Sequence, residues 1–228
     1  MLATRHNIAT LTSEVGDRDR ALEAFVSLLP DIVHTLGADH REVFAVRNNI
    51  ASLVGERGDA MGALSAFEAL LPDHQRVFGD DHSDTLNIRS NIATWKGLTG
   101  NKWGALAAFE ALLRDQTRVL GSDHPYVFRT RSNIAYWRGR TGNPLGALTA
   151  YEALLPDREQ AQGRDHPDTL AMLASMGDVS IQVGCRAEGC RRFREALARA
   201  RRRFGPDHDL TRRFEQMIDE HGCEKTDG

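Results

Sequence analysis

The chain has 228 residues, 41 % of them apolar and 27 % charged, with a formal charge of −3 at neutral pH, a composition that fits one or two folded domains and excludes a disordered chain. No run approaches the ~20 apolar residues needed to cross a bilayer, and Met1–His6 lacks the apolar stretch of a secretory leader. Three cysteines (Cys185, Cys190, Cys223) stand at no metal-ligand or redox spacing, so no disulfide is expected and the reading is a cytoplasmic protein with reduced thiols.

One step of 42 residues organises the chain. Asp-His recurs at 39–40, 81–82, 123–124, 165–166 and 207–208, and Asn-Ile-Ala at 7–9, 49–51, 91–93 and 133–135. Ala-Leu follows at 21–22, 63–64, 105–106 and 147–148, an aromatic at Phe25, Phe67, Phe109, Tyr151 and Phe193, and Leu-Leu at 28–29, 70–71, 112–113 and 154–155. Columns that share one period define a tandem array, with repeats at about 1–39, 40–81, 82–123, 124–165 and 166–206.

In chain order, the first repeat opens at Leu2, already inside its first helix, with no Asp-His ahead of it; a segment of a longer protein and a frayed start both account for this. The second and third repeats are complete. In the third, Asp81-His82-Ser83 supplies capping chemistry, and the apolar pattern Leu86, Ile88, Ile92, Ala93 and Trp95 marks a first helix. Thr99-Gly100-Asn101 stops it, because glycine accepts the left-handed conformation that ends a helix. A second helix runs from about Lys102 to Leu120, with Ala105, Phe109, Leu112 and Leu113 on one face, and Gly121 ends it. The fourth repeat opens on His124-Pro125, proline suiting a first helical turn. No segment alternates with period two, so no strand is expected. In the fifth repeat Ser175-Met176-Gly177 stands for Asn-Ile-Ala and Gly189-Cys190 for Ala-Leu. Residues 207–222, with Phe214, Met217 and Ile218 in a stripe, read as a capping helix, and 223–228 as a disordered tail.

Glycine at the turn, alanine five residues on and an aromatic four beyond that resemble the tetratricopeptide repeat. The 42-residue step and the link Leu120-Gly121-Ser122-Asp123-His124-Pro125, with Arg47-Asn48-Asn49-Ile50-Ala51, are similar to repeats of kinesin light chains and of bacterial regulators with NB-ARC-type ATPase domains. The resemblance implies an all-α, right-handed superhelical solenoid of about five helix-turn-helix repeats whose first helices line a groove for an extended peptide. It implies a non-enzymatic protein- or peptide-binding scaffold, with no cofactor, no metal and no membrane partner. A sensor or regulatory arm of a larger bacterial ATPase or transcription regulator is the alternative of a different class.

Carried onto this chain, the groove column is Asn7, Asn49, Asn91 and Asn133, joined on the same stripe by Asn48, Asn87, Ser90, Thr94, Arg129 and Tyr136. An amide both donates and accepts, so such a ladder can hold a peptide backbone of any sequence. The competing reading is that these amides tie neighbouring helices together. Arg5, Arg47, Arg89 and Arg131 form a second column, and Glu68, Glu110 and Glu152 a third. Leu173 and Arg194 replace both in the fifth repeat, which pairs the two columns across the helix interface; phosphate or carboxylate binding is the other use of such arginines. Histidines of successive repeats stand ~8–10 Å apart in a packed array, too far to share a zinc, so the Asp-His pairs read as helix caps. Gly97–Lys102 lacks the spacing and the preceding strand of a phosphate loop. Residues 186–213 carry ten arginines against four acids, a patch open to nucleic acid or an acidic protein surface; nucleic acid is the lesser expectation because no free aromatics interleave.

Overall fold

The structure is a computed structural model that describes residues 2–223. These residues form α1 (Leu2–Glu14), α2 (Arg18–Leu36), α3 (Arg41–Glu56), α4 (Ala60–Phe78), α5 (Ser83–Leu98), α6 (Lys102–Leu120), α7 (Pro125–Arg140), α8 (Pro144–Gln162), α9 (Pro167–Gln182), α10 (Arg186–Phe204) and α11 (Asp209–Glu220), and no strand occurs among them. The chain divides between Asp115 and Gln116 into two compact bodies. In the N-terminal body α1 to α5 pack in sequence order, and in the C-terminal body α7 to α11 do the same. The fold is the all-α tetratricopeptide type that the repeat resembles.

Among the described residues nine of the helices begin on a side-chain cap, and the helices end on glycine. His40, His82, His124, His166 and His208 precede α3, α5, α7, α9 and α11, and the Nδ1 of each accepts from the backbone N–H two residues on at 3.1–3.2 Å. Helix N-termini leave such donors without intrahelical partners, and these rings satisfy one apiece. Asp17, Asp59, Asn101 and Asn143 do the same for α2, α4, α6 and α8. The histidines of the Asp-His pairs and Asn101 are thus capping elements. Helices stop at glycines in the left-handed region, as at Gly100 (φ 100°) and Gly121 (φ 85°), where a side chain would be strained.

The repeat columns are the core. Ala9, Ala21, Ala51, Ala63, Ala93, Ala105, Ala135 and Ala147 are at most 1 % exposed, and small residues there let first and second helices approach. Phe25, Phe67, Phe109, Tyr151 and Phe193 are at most 2 % exposed, each contributing roughly 1.5–3 kcal/mol of burial. Of each Leu-Leu pair the first is buried and the second half-buried. Tyr151 alone carries a hydroxyl. Burial pushes its pKa up to about 12, and its side chain bonds Ser175, which stands where earlier repeats have asparagine. In the fifth repeat glycines replace both crossing alanines, and a Cβ on Gly189 would meet the Gly177 carbonyl oxygen at 2.7 Å.

Two expectations are corrected. The arginine column does pair across helices, but not with Glu68, Glu110 and Glu152. Arg47, Arg89 and Arg131 reach Asp73, Asp115 and Asp157 at 2.9, 2.7 and 3.0 Å, and Arg5 pairs with Asp31. These aspartates recur every 42 residues, one turn beyond the glutamates, where the second helix comes back alongside the first. In the fifth repeat both partners change, to Leu173 and Arg199. Arg199 is 6 % exposed and turns to Glu159 at 2.7 Å and to Glu195. Charge balance is kept by a different pairing.

The expectation of free thiols fails at two of three cysteines. Cys190 and Cys223 form a disulfide with their Cα atoms 5.3 Å apart. Helix α11 folds back over α10 and carries Cys223, 3 % exposed, onto it; sequence spacing does not register a contact made by that return. Cys223, the first residue of the expected tail, is held by this link, and the rest of that tail, 224–228, lies outside the described residues. Cys185 is free and exposed. No helix among the described residues is long and apolar enough to cross a membrane.

Candidate functional site

First helices of neighbouring repeats leave a row of notches between them. In the N-terminal body α1 and α3 bound one of about 170 Å³, lined by Thr10, Ser13, Asn49, Ser52 and Glu56 among others. Helices α3 and α5 bound a second of about 200 Å³. In the C-terminal body α7 and α9 bound one of about 190 Å³. A depression of about 780 Å³ lies between α10 and α11.

The α3/α5 notch is made of polar groups on a buried floor. Asn48 and Asn49 come from α3, Asn87 and Asp84 from α5, Arg41 from the start of α3, and His74 from α4 forms the floor. Arg41 Nε lies 3.3 Å from the Asp84 carboxylate, so the rim is charge-balanced. His74 is 4 % exposed, its ring packs against Phe44 and Phe78, and neither ring nitrogen has a hydrogen-bond partner. Burial lowers its pKa, with Asp84 acting in the opposite direction. The floor is therefore a neutral imidazole.

Of the amides expected to face a ligand, Asn49 borders both notches of its body and Asn133 borders the α7/α9 notch with Arg129 and Tyr136. Asn48 and Asn91 bond each other across α3 and α5 at 3.2 Å, Asn91 donating. That link occupies one donor and one lone pair and leaves each amide further capacity. Asn7 is exposed on α1. Ser90 is 4 % exposed and packs within the helix layer. The Thr94 hydroxyl donates back to the Ser90 carbonyl at 3.0 Å.

The floor residues were not anticipated. His74, Gln116 and Arg158 recur 42 residues apart on the inner face of the second helix and are at most 4 % exposed. Ile32 and Ala200 occupy the same column and are apolar. The signal was present as polar residues at a position that the end repeats fill with aliphatic ones.

The arginine patch is largely neutralised in place. Arg191 pairs with Glu188, Arg192 with Glu188 and Glu152, Arg201 with Glu215, Arg202 with Asp165, and Arg212 with Asp209. Paired guanidinium groups do not present a phosphate-binding face.

Models of the tetratricopeptide repeat match residues 1–42 and 42–115. The chain belongs to the tetratricopeptide repeat family. Among solved structures it is similar to a putative kinesin light chain of Podospora anserina with nearly identical tetratricopeptide-like repeats, at 18 % identity and a TM-score of 0.68, over 88 % of this chain and 95 % of that one. It is similar to BtubC from P. vanneervenii, at 16 % identity and 0.64, over 96 % and 80 %. NprR bound to its cognate peptide NprX aligns at 17 % identity and 0.77, over 99 % of this chain and 62 % of that one. At such identities these structures share a fold with this chain. No curated protein matches it by sequence.

Proposed function

We propose that this tetratricopeptide chain is a non-enzymatic scaffold that binds an extended peptide segment along the notched faces of its first helices. The observation that carries this reading is the recurrence of one notch. Positions 45, 48, 49, 74, 84, 87 and 88 line the α3/α5 notch, and the positions 84 residues later, 129, 132, 133, 158, 168, 171 and 172, line the α7/α9 notch. A repeated pocket with an asparagine at its edge suits a ligand that is itself a repeating chain, whose backbone offers a donor and an acceptor per residue. The peptide complex of NprR supports the reading as a precedent on the same fold. The ion-paired state of the C-terminal arginines disfavours a nucleic-acid role.

The test is selection of binders from a random displayed dodecapeptide library on the full chain. Asn49→Ala and Asn133→Ala each remove one amide, so affinity of selected peptides should fall several-fold per site, from about 0.5–1.5 kcal/mol per hydrogen bond. Melting should change little. Unchanged affinity in both variants, or a collapse of melting, would show the amides to be structural.

A further inference from the structure

We infer that this chain docks head to tail on a second copy of itself: the open face of α1 seats on α10 of the other copy, in the place α11 holds within one chain, and the Cys190–Cys223 link controls the exchange. The surfaces involved are distinct from the first-helix notches. Ile50 and Leu53 of α3 pack in one cluster with Leu22, Phe25 and Leu29 of α2. Met176 and Val179, in the same columns on α9, pack likewise with Leu148, Tyr151 and Leu155 of α8. On α1 these columns hold Ile8 and Leu11, which are 57 % and 59 % exposed, and Val15 on the same helix end is 82 % exposed. An uncovered apolar stripe of this kind suits the surface that covers its counterparts, the flank of a second helix.

Helix α10 carries that flank. Cys190, Phe193 and Leu197 stand where α2 has Leu22, Phe25 and Leu29. Within one chain α11 lies over it: Ile218 and His221 fall in the columns of Ile8 and Leu11, and the His221 ring stacks on Phe193 at 5.1 Å. Helices α1 and α11 are thus the same element of the repeat and compete for one seat. The depression between α10 and α11, lined by Leu197, Ala198, Arg201 and Ile218 among others, is where the following second helix, α2 of the second copy, would lie.

Contacts between neighbouring repeats define which side chains would meet across the junction. Glu56 pairs with Arg18 at 3.0 Å, and the junction sets Glu14 of one copy at the place of Glu56 and Arg186 of the other at that of Arg18. Arg57 pairs with Asp19 at 2.6 Å; there the junction sets Val15 beside Ala187, both exposed. Glu159 of α8 pairs with Arg199 of α10 at 2.7 Å; there it sets Arg201 against Asp31, so both signs reverse together. One pair turns apolar on both sides and another exchanges sign on both sides, which makes the two ends complementary. Within one chain Arg201 meets Glu215 of α11, and Arg186 donates to the carbonyls of His221 and Gly222. Departure of α11 releases both arginines to the junction.

Helix α11 keeps the seat for two reasons. Phe214, 1 % exposed, stands where α1 has Thr4, and Cys223 is bonded to Cys190. A dithiol passes two electrons and two protons to that link, leaving two thiols on the chain and becoming a disulfide itself. Noncovalent contacts alone then hold α11, and its replacement by α1 of another copy depends on protein concentration. Such a heterologous contact leaves each copy with a further end to offer.

The experiment is sedimentation velocity of the full chain over a concentration series, with and without a dithiol, in a Cys185→Ser background that removes the exposed free thiol. The oxidised chain should stay monomeric and the reduced chain should associate. Leu11→Glu, a change at an exposed position, should raise the dissociation constant of the reduced chain about tenfold or more by placing a charge in the apolar contact. Glu14→Arg and Arg186→Glu should each weaken association about three- to tenfold. Mixing those two variants should restore it, because the reversed charges then face each other across one junction. Far-ultraviolet circular dichroism checks that each variant is folded. A reduced chain that stays monomeric, equal association with the link closed, indifference to Leu11→Glu, or a mixture no stronger than its components would each overturn the inference.

Discussion

Gly139, in the last turn of α7, and Gly189, in the first turn of α10, are both buried in the C-terminal body, yet replacing them with alanine should have opposite effects. A Cβ at 139 would sit 3.5 Å from the Ala147 Cβ, an ordinary contact. Alanine in place of glycine then favours the helix by up to about 1 kcal/mol, the value for a helix interior, with nothing to offset it. A Cβ at 189 would lie 2.5 Å from Ile181 Cγ1 and 2.7 Å from the Gly177 carbonyl oxygen. Backbone cannot rotate aside as a side chain can, so α9 and α10 must separate, and overpacking of this kind costs about 1–3 kcal/mol. Taking the upper end and subtracting the same helix gain leaves Gly189→Ala destabilised by about 2 kcal/mol. Urea unfolding followed by far-ultraviolet circular dichroism measures both, with amide exchange in α9 and α10 confirming where the loss is felt. Equal shifts in the two variants, or a gain at 189, would refute the claim that glycine replaces alanine in the fifth repeat because the helices cross more closely there.

Arg89 and Asp115, 27 % and 36 % exposed as side chains, should couple by about 0.2–1 kcal/mol in a double-mutant cycle, whereas Arg89 and Glu110 should be additive; the reverse would restore the glutamate pairing. The lowered pKa of His74 means that the unfolded chain binds a proton first as pH falls. Its contribution to stability is therefore complete above the unfolded value of about 6.5 and declines below it towards the lower folded value; melting of His74→Gln should lose that part of the acid dependence, and an unchanged profile would count against it. Opening the Cys190–Cys223 link, which spans 33 residues, with a dithiol reductant or Cys223→Ser should cost about 3–4 kcal/mol on chain-entropy grounds. Amide exchange should rise first in α11, and identical melting with and without reductant would show that the link contributes nothing.

The hairpins were legible because their causes are local and repeated. Histidine before α3, α5, α7, α9 and α11, glycine after each helix and alanine at the crossings of the first four repeats all act within a few residues, and a period of 42 multiplied each signal. What escaped notice depends on where the chain returns. Asp73 and Asp115 face Arg47 and Arg89 because the second helix runs back beside the first, and a pairing inferred from joint loss in one repeat selected the glutamates a turn too early. Cys223 meets Cys190 only because α11 folds over α10. The floor of the notches, His74 and Arg158, was hidden for another reason. Polar residues on an inner face look like departures from an apolar column until the cavity above them is seen.

The most direct test of the binding account is photo-crosslinking from single positions. A benzophenone side chain placed at Ala45 or Ala171, exposed beside the α3/α5 and α7/α9 notches, should crosslink to selected peptides. The same group at Glu68 or Thr149, exposed on the second helices α4 and α8, should not. Crosslinks confined to Glu68 and Thr149 would contradict the claim that ligands lie along the first-helix faces.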